Sequence, residues 1–288
     1  MSSSCIDSSE WSQHLAGRDI RLAFFDVDGT LLGLDGGYSQ RLKRALSAVK
    51  SLGIKTAIAS GRPKFAVDFL IDELGLNAAG LYYTGALVFD PQTGESLIQQ
   101  PLATDRVQLL IERARQLQVY TEVCTRDDFY IETNNPIGDV HSQHLRVTPK
   151  LEGFDSLVTA EPVFKLLMAV DEDHQPGVLR LLEQEFSDLV FAYACLPTYP
   201  SWSFVSIIDP KACKHTAFDC LLEYHQVKPD QVIAFGDADS DKVFLSRAGL
   251  GIAMGNAKPE IKAVADAVTA AAADDGVAQV LEILADVS

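Results

Sequence analysis

The sequence predicts an α/β protein built on a doubly wound parallel sheet, with a separate α+β unit inserted into it. Three observations carry this reading. Short apolar runs alternate with stretches of helical periodicity through short links, polar clusters stand at the carboxyl ends of those runs, and the rhythm breaks near Ala86 and resumes at Lys214. In such sheets ligands bind at the carboxyl ends of the strands.

Residues 1–18 are polar and lack an apolar stretch of signal-peptide length, so 1–19 reads as a loosely held, solvated extension. Residues 21–25, RLAFF, form a buried strand that stops at DVDGT. After the glycine-rich 33–37, Ser39 caps a helix whose apolar positions Leu42, Ala45, Leu46, Val49 and Leu52 follow helical spacing, and Gly53 ends it. A second strand, 54–59, runs into SGRP at 60–63. A helix over 64–74 stops at Gly75, and a third strand over 81–83 ends at Thr84-Gly85.

Residues 86–100 then read as a hairpin around DPQTG, followed by a helix near 105–118, strands at 119–124, 129–132 and 164–170, a helix over 177–186, and strands at 189–194 and 203–208. From Lys214 the order is helix, strand 231–235, helix, strand 251–254 and a last helix. The expected division is therefore a core of 20–86 and 205–288, with 87–204 inserted as a cap.

The chain has 288 residues, of which 40 are acidic and 24 basic, for a net charge of −16. A chain of about 300 residues buries about three quarters of its unfolded surface, so it needs no staples. The acidic balance argues against nucleic-acid or anionic-membrane partners, since both would be approached against repulsion. No 18 apolar residues run together, and the expected setting is cytoplasmic. Cys5, Cys124, Cys195, Cys213 and Cys220 are odd in number and form no CxxC pair, which reads as free thiols in a reducing compartment.

Two acidic clusters, Asp26-Val27-Asp28 and Asp237-Ala238-Asp239-Ser240-Asp241, each follow an apolar strand. The first is not an EF-hand loop, because Gly37 stands where the closing Glu belongs. No phosphate-binding GxxxxGK[ST] loop occurs, and GLGIAMG at 249–255 has the wrong third spacing for a dinucleotide fingerprint. Parallel strand ends can bring Asp26, Asp28, Asp237 and Asp241 together. Two carboxylates about 4 Å apart repel by about 4 kcal/mol at an effective dielectric of about 20, so such a cluster calls for a cation. Hard oxygen ligands point to Mg²⁺. With the hydroxyls of Thr30 and Ser60, and with Lys214, the site can hold a phosphoryl group.

DVDGTLL at 26–32, SGRP at 60–63, TGA at 84–86, DPKACKHTAF at 209–218, and FGDADSD at 235–241 with the trailing GIAMGNA together resemble the haloacid dehalogenase superfamily. The motif order and the large insertion after the third strand are similar to its Cof-type phosphatase branch, with a type IIB cap. The resemblance implies a Mg²⁺-dependent phosphohydrolase working through an aspartyl-phosphate, with a small phosphorylated metabolite as partner and a monomer or homodimer as assembly. It implies Asp26 as nucleophile and metal ligand, and Asp28 as general acid and base that also offers its backbone carbonyl to the metal. Ser60 would bind phosphoryl oxygens and Lys214 would neutralise Asp26. Asp237 and Asp241 would hold the metal, with Thr30, Gly61, Arg62, Thr84, Gly85 and Ser240 around phosphate or substrate. Thr84, His215 and Ser240 differ from the usual family residues, which are Asn, Gly and Asn.

Beyond this set, His141 and His144 read as solvated loop residues rather than a metal pair, and Cys213 as a structural thiol rather than a redox one. Tyr193, Tyr199 and Trp202 are candidates for substrate contact or for packing. The leading reading is a phosphatase of sugar phosphates; a sugar phosphomutase and a non-catalytic phosphate-binding or metal-binding module stand as alternatives.

Overall fold

The computed structural model describes residues 8–33, 36–195 and 199–287. Cys5 and the side chain of Cys195 lie outside them. Helix α1 (Ser8–Leu15) and strand β1 (Leu22–Phe25) open the chain, followed by α2 (Gln40–Ser51), β2 (Lys55–Ile58), α3 (Asp68–Leu74) and β3 (Gly80–Tyr82). A hairpin of β4 (Leu87–Phe89) and β5 (Ser96–Gln99) leads to α4 (Thr104–Gln116), β6 (Tyr120–Cys124), β7 (Phe129–Ile131) and α5 (Pro136–Leu145). Next come β8 (Lys150–Leu151), α6 (Phe154–Ala160), β9 (Lys165–Asp171), α7 (Val178–Glu185), β10 (Val190–Cys195) and β11 (Trp202–Ile208). The last stretch holds α8 (Lys214–His225), β12 (Val232–Gly236), α9 (Lys242–Arg247), β13 (Leu250–Ala253), α10 (Pro259–Lys262), β14 (Ala267–Val268) and α11 (Gly276–Val287).

The chain divides into two compact units. The first comprises residues 1–62, 67–98 and 214–288. Its sheet has the order β14-β13-β12-β1-β2 with every pair parallel, the expected doubly wound core. The central strands are apolar on both faces because helices cover both: all four residues of β1 and all five of β12 are buried. β3 meets β2 through the single bridge Ala59↔Leu81 and then pairs antiparallel with β4. Ser39 caps α2 as expected, its hydroxyl accepting from the Leu42 amide at 3.0 Å, and Gly75 closes α3 in the left-handed conformation.

The second unit comprises residues 63–66 and 99–213. Its six-stranded sheet runs β10-β11-β9-β6-β7-β8, with antiparallel pairs from β10 through β7. Its main core lies between one face of that sheet and helices α4, α6 and α7.

Several expectations are corrected. The division falls at 98/99 and 213/214 instead of 86/87 and 204/205, because β4 pairs onto β3 and β5 onto β4, and because β11 stays paired with β9 and β10 to Ile207 and Ile208. From Ser8 onward the amino-terminal segment is not a solvated tail: α1 packs against α11 and buries Trp11 and Leu15, while residues 1–7 lie outside the described residues. Two helices in the second unit, α5 and α6, fall in the stretch between 132 and 164 to which the sequence assigned no element. His141 is accordingly buried on α5, where a loop histidine in water was expected. No helix among the described residues is long and apolar enough to cross a membrane.

Candidate active site

Three adjacent parallel strands end in register, Phe235 beside Phe25 beside Ile58. Neighbouring strands lie about 4.8 Å apart, so whatever follows each of them is gathered at one edge of the sheet. Asp26 follows β1, Ser60 follows β2 and Asp237 follows β12; the Asp26 amide donates to the Phe235 carbonyl at 3.0 Å, and the Ala59 amide to the Phe25 carbonyl at 2.8 Å.

One carboxylate oxygen from each of Asp26, Asp237 and Asp241 lies within 4.8 Å of the others. Asp26 and Asp241 are buried and Asp237 is half-buried. Among the described residues no donor bonds the Asp26 carboxylate, so its lone pairs are available. Asp237 accepts from Thr30 Oγ1 at 3.3 Å and from Asn256 Nδ2 at 3.0 Å. Asp241 is more heavily used. Its Oδ2 accepts the amides of Asp237 and Ala238 at 3.1 and 2.9 Å, while its Oδ1 accepts Lys214 Nζ at 2.9 Å and Ser240 Oγ at 3.3 Å. A carboxylate has about four lone-pair sites, and these four donors use most of its capacity, leaving little for direct metal ligation. Asp241 therefore shapes the loop and holds Lys214; it would reach a metal through water.

Two glycines make the geometry accessible. Gly29 has φ +75°, and a Cβ there would fall 2.3 Å from Asp237 Oδ2. At Gly236 a Cβ would fall 2.5 Å from Asp241 Cβ. Any larger residue would push a carboxylate out of place.

Lys214 begins α8 and is buried; its ammonium also donates to the Ala59 carbonyl at 3.2 Å. The expected partner was Asp26, yet the ion pair is with Asp241, so Lys214 acts on Asp26 through its field. Asp28 stands apart from the cluster. Its side chain is 51% exposed and takes a bidentate pair from the buried Arg62, at 2.6 and 2.7 Å. Arg62, which reads equally as reaching an anionic group or as pairing with a surface carboxylate, does the second and holds the expected acid and base. Ser60 accepts the Arg62 amide at 3.2 Å. Thr84 and Tyr83 both have positive φ, 58° and 52°, a costly arrangement for two residues that are not glycine. Hydrogen bonds from Thr84 N to Ser60 O at 3.3 Å and from Tyr83 N to Arg62 O at 3.0 Å brace it. Gly85 continues at φ 100°, and a Cβ at Gly61 would press on Thr84 Oγ1 at 3.3 Å, so the two motifs interlock. Asn256 was missed as a site residue although its motif was noted; it bonds Asp237 and the Gly29 carbonyl together, at 3.0 and 2.9 Å.

Tyr193, a candidate for substrate contact, bonds Glu183 at 3.0 Å and stacks under Arg180, which is packing. Trp202 packs with Leu167, Ala169 and Phe204, and Cys213 is a half-buried free thiol.

Burial, then repulsion from Asp241, pushes the Asp26 carboxyl well above the usual range, with Lys214 pulling the other way. Burial and Asp241 likewise push Asp237 up to about 6. Converging hard oxygens whose charge is disfavoured without a counter-ion suit a magnesium-sized cation. An acid with its folded pKa above its unfolded value favours the fold while protonated, and that contribution is lost as pH rises through the folded pKa. The metal-free protein is therefore expected to lose melting temperature from about pH 4 upward through about pH 6 and beyond, and the gain from Mg²⁺ over EDTA to widen across the same span. Melts in both media across that range test this; a gap constant with pH would show that the carboxylates do not repel.

Comparison with known proteins agrees with this geometry. A family model for haloacid dehalogenase-like hydrolases matches residues 23–281. The 5-amino-6-(5-phospho-D-ribitylamino)uracil phosphatase YitU of Bacillus subtilis is 26% identical over 274 residues, covering 91% of this chain and 96% of its own length. The HMP-PP phosphatase of Yersinia pseudotuberculosis is 28% identical over 255 residues, covering 84% and 86%. The crystal structure of a haloacid dehalogenase-like hydrolase from Bacteroides thetaiotaomicron superposes with a TM-score of 0.80 at 26% identity, over 91% of this chain and 98% of that one. The motifs, the strand-end carboxylates and a match over most of its length agree: the chain belongs to the haloacid dehalogenase-like hydrolase family and is a phosphatase.

Proposed function

We propose that the protein is a Mg²⁺-dependent phosphatase of small phosphorylated metabolites, sugar phosphates first, acting through an aspartyl-phosphate on Asp26 in a reducing, cytoplasmic setting. The observation that carries this reading is the buried carboxylate group of Asp26, Asp237 and Asp241 with Lys214 beside it. The residues that would hold Mg²⁺ are Asp26 and Asp237 directly and Asp241 through water. The ion would neutralise carboxylate repulsion and the charge on the phosphoryl oxygens.

The chain's own residues divide the work. Asp26, free of hydrogen-bond donors, attacks phosphorus as the ester P–O bond breaks, and Asp28 gives its proton to the departing oxygen. Water then attacks the acyl phosphate, Asp28 takes the proton back, and inorganic phosphate leaves with Asp26 restored. Lys214 and Ser60 steady charge on the phosphoryl oxygens. Phosphate monoester hydrolysis is among the slowest uncatalysed reactions, with enzymes supplying up to about 10²¹-fold, so dividing it into two displacements is worth the extra intermediate.

The named substrates of the relatives, a phosphoribitylamino compound and HMP-PP, support the small-metabolite class. The test is phosphate release from nitrophenyl phosphate and from a panel of sugar phosphates with those two compounds added, in Mg²⁺ and in EDTA. Release that EDTA abolishes and that needs no bisphosphate activator is the expected result. A bisphosphate requirement would make the protein a mutase, and inactivity across the panel would make it a binding module.

A further inference from the structure

Strand alternation gives the sheet of the second unit two faces. On one, Val123, Leu166, Met168, Val170, Val205 and Ile207 join the core beneath α4, α6 and α7. On the other, register sets Glu122 opposite Leu167 and Cys124 opposite Lys165, with Phe129 on the far side of Cys124. Helix α5 covers part of that face, laying Ile137 against Leu167 and Ala169 and the ring of His141 edge-on to Phe129 at 6.2 Å.

Lys165 is out of place there. It is 5% exposed, yet among the described residues no hydrogen bond or ion pair holds its ammonium. Nor is the ammonium sealed away from solvent, since it is not among the buried nitrogens cut off from both water and partners. The other buried amine among the described residues, Lys214, has a carboxylate, a carbonyl and a hydroxyl around it. The carboxylate on the neighbouring strand is committed elsewhere: the oxygens of Glu122 are taken by Tyr120 Oη at 2.7 Å and by His141 Nδ1 at 2.7 Å. The Cys124 thiol, pushed up by burial, feels the opposing pull of the Lys165 charge, which sets that charge beside the strand partner. An ammonium is a compact, strongly hydrated charge with three donors, and stripping its water without an acceptor is costly.

We propose that Lys165 is an anion-binding residue, taking a carboxylate or phosphate group of a small ligand onto this face of the second unit. A full negative charge suits the site because the nearly buried ammonium lacks a charge-assisted hydrogen bond. The ligand is a small acid taken by the second unit on its own, so the proposal does not rest on the phosphatase reading above.

The test uses the full chain as wild type, Lys165→Met, Lys165→Gln and Lys165→Arg. In EDTA, malonate against chloride at matched ionic strength is expected to raise the melting temperature of wild type and Lys165→Arg saturably. In the neutral variants its apparent affinity should fall about tenfold to hundredfold, the span for a hydrogen bond to a charged group. Lys165→Gln covers the case in which the methionine variant does not fold. A wild type that malonate does not stabilise, or neutral variants that match wild type in malonate response, overturn the proposal.

Discussion

Asp26→Asn is expected to take turnover down to background, a loss of roughly 10⁶-fold, the order found when a nucleophile acting within a unit is removed. The amide is the same size and shape as the carboxylate, so binding and fold are retained while the attacking oxygen is lost. Stability should move the opposite way from activity. Asp26 is buried, and its charged form is opposed by desolvation and by Asp241, Asp28 and Asp237. A neutral isostere removes those costs, so in EDTA the variant is expected to melt at or above the wild-type temperature. In Mg²⁺ the order should reverse, because a ligand that binds the folded state stabilises it more the tighter it binds, and the variant has lost one of the two carboxylates that would hold the ion directly. Nitrophenyl phosphate turnover and paired melts measure all three quantities. Residual turnover within about a hundredfold of wild type would leave acid and base chemistry intact without the nucleophile, and so move the nucleophile elsewhere.

The site was legible in the sequence where chemistry and strand ends coincide. Asp26, Asp237 and Ser60 follow buried apolar runs, and an apolar run that stops at an acidic or hydroxyl residue locates that residue at a sheet edge whatever the rest of the fold does. Partners were harder to read. Lys214 faces Asp241 and Arg62 faces Asp28 because of side-chain reach across 27 and 34 residues of chain, which periodicity does not encode. Asn256 could have been found from its motif: a polar amide just after β13, beside the strand that ends in Asp237, is placed to join two loops. The extension was misread because Trp11 and Leu15, spaced four apart, were outweighed by their polar neighbours, although that spacing is one face of a helix. His141 was misread for a similar reason: Asn135 and Pro136 are a helix start signal, the Asn side chain accepting the Ile137 amide at 3.0 Å, but the following segment is short and weakly apolar. The boundaries of the inserted unit depended on which sheet the β4–β5 hairpin and β11 join, and pairing across long separations leaves no local signal.

Asp28→Asn should have the second largest effect, and unlike the first it should depend on the substrate. Asp28 lies outside the carboxylate cluster, half exposed, and Arg62 fixes its orientation through two hydrogen bonds. An amide there keeps one acceptor for Arg62 and loses the proton. General acid and base catalysis contributes about 10² to 10⁴-fold, and the acid part matters only when the leaving group needs protonation. A nitrophenolate leaves as a stable anion, whereas a sugar alkoxide does not. In single-turnover measurements the variant is therefore expected to phosphorylate slowly from a sugar phosphate, by about that factor, and at a rate much closer to wild type from nitrophenyl phosphate. The second step loses its base for either substrate, so phosphoenzyme formed from the nitrophenyl ester should accumulate on Asp26. Acid quenching followed by mass mapping of the labelled peptide reads both parts. Equal losses on the two esters would show that Asp28 does not protonate the leaving group, and label on Asp28 itself would exchange the roles of the two aspartates.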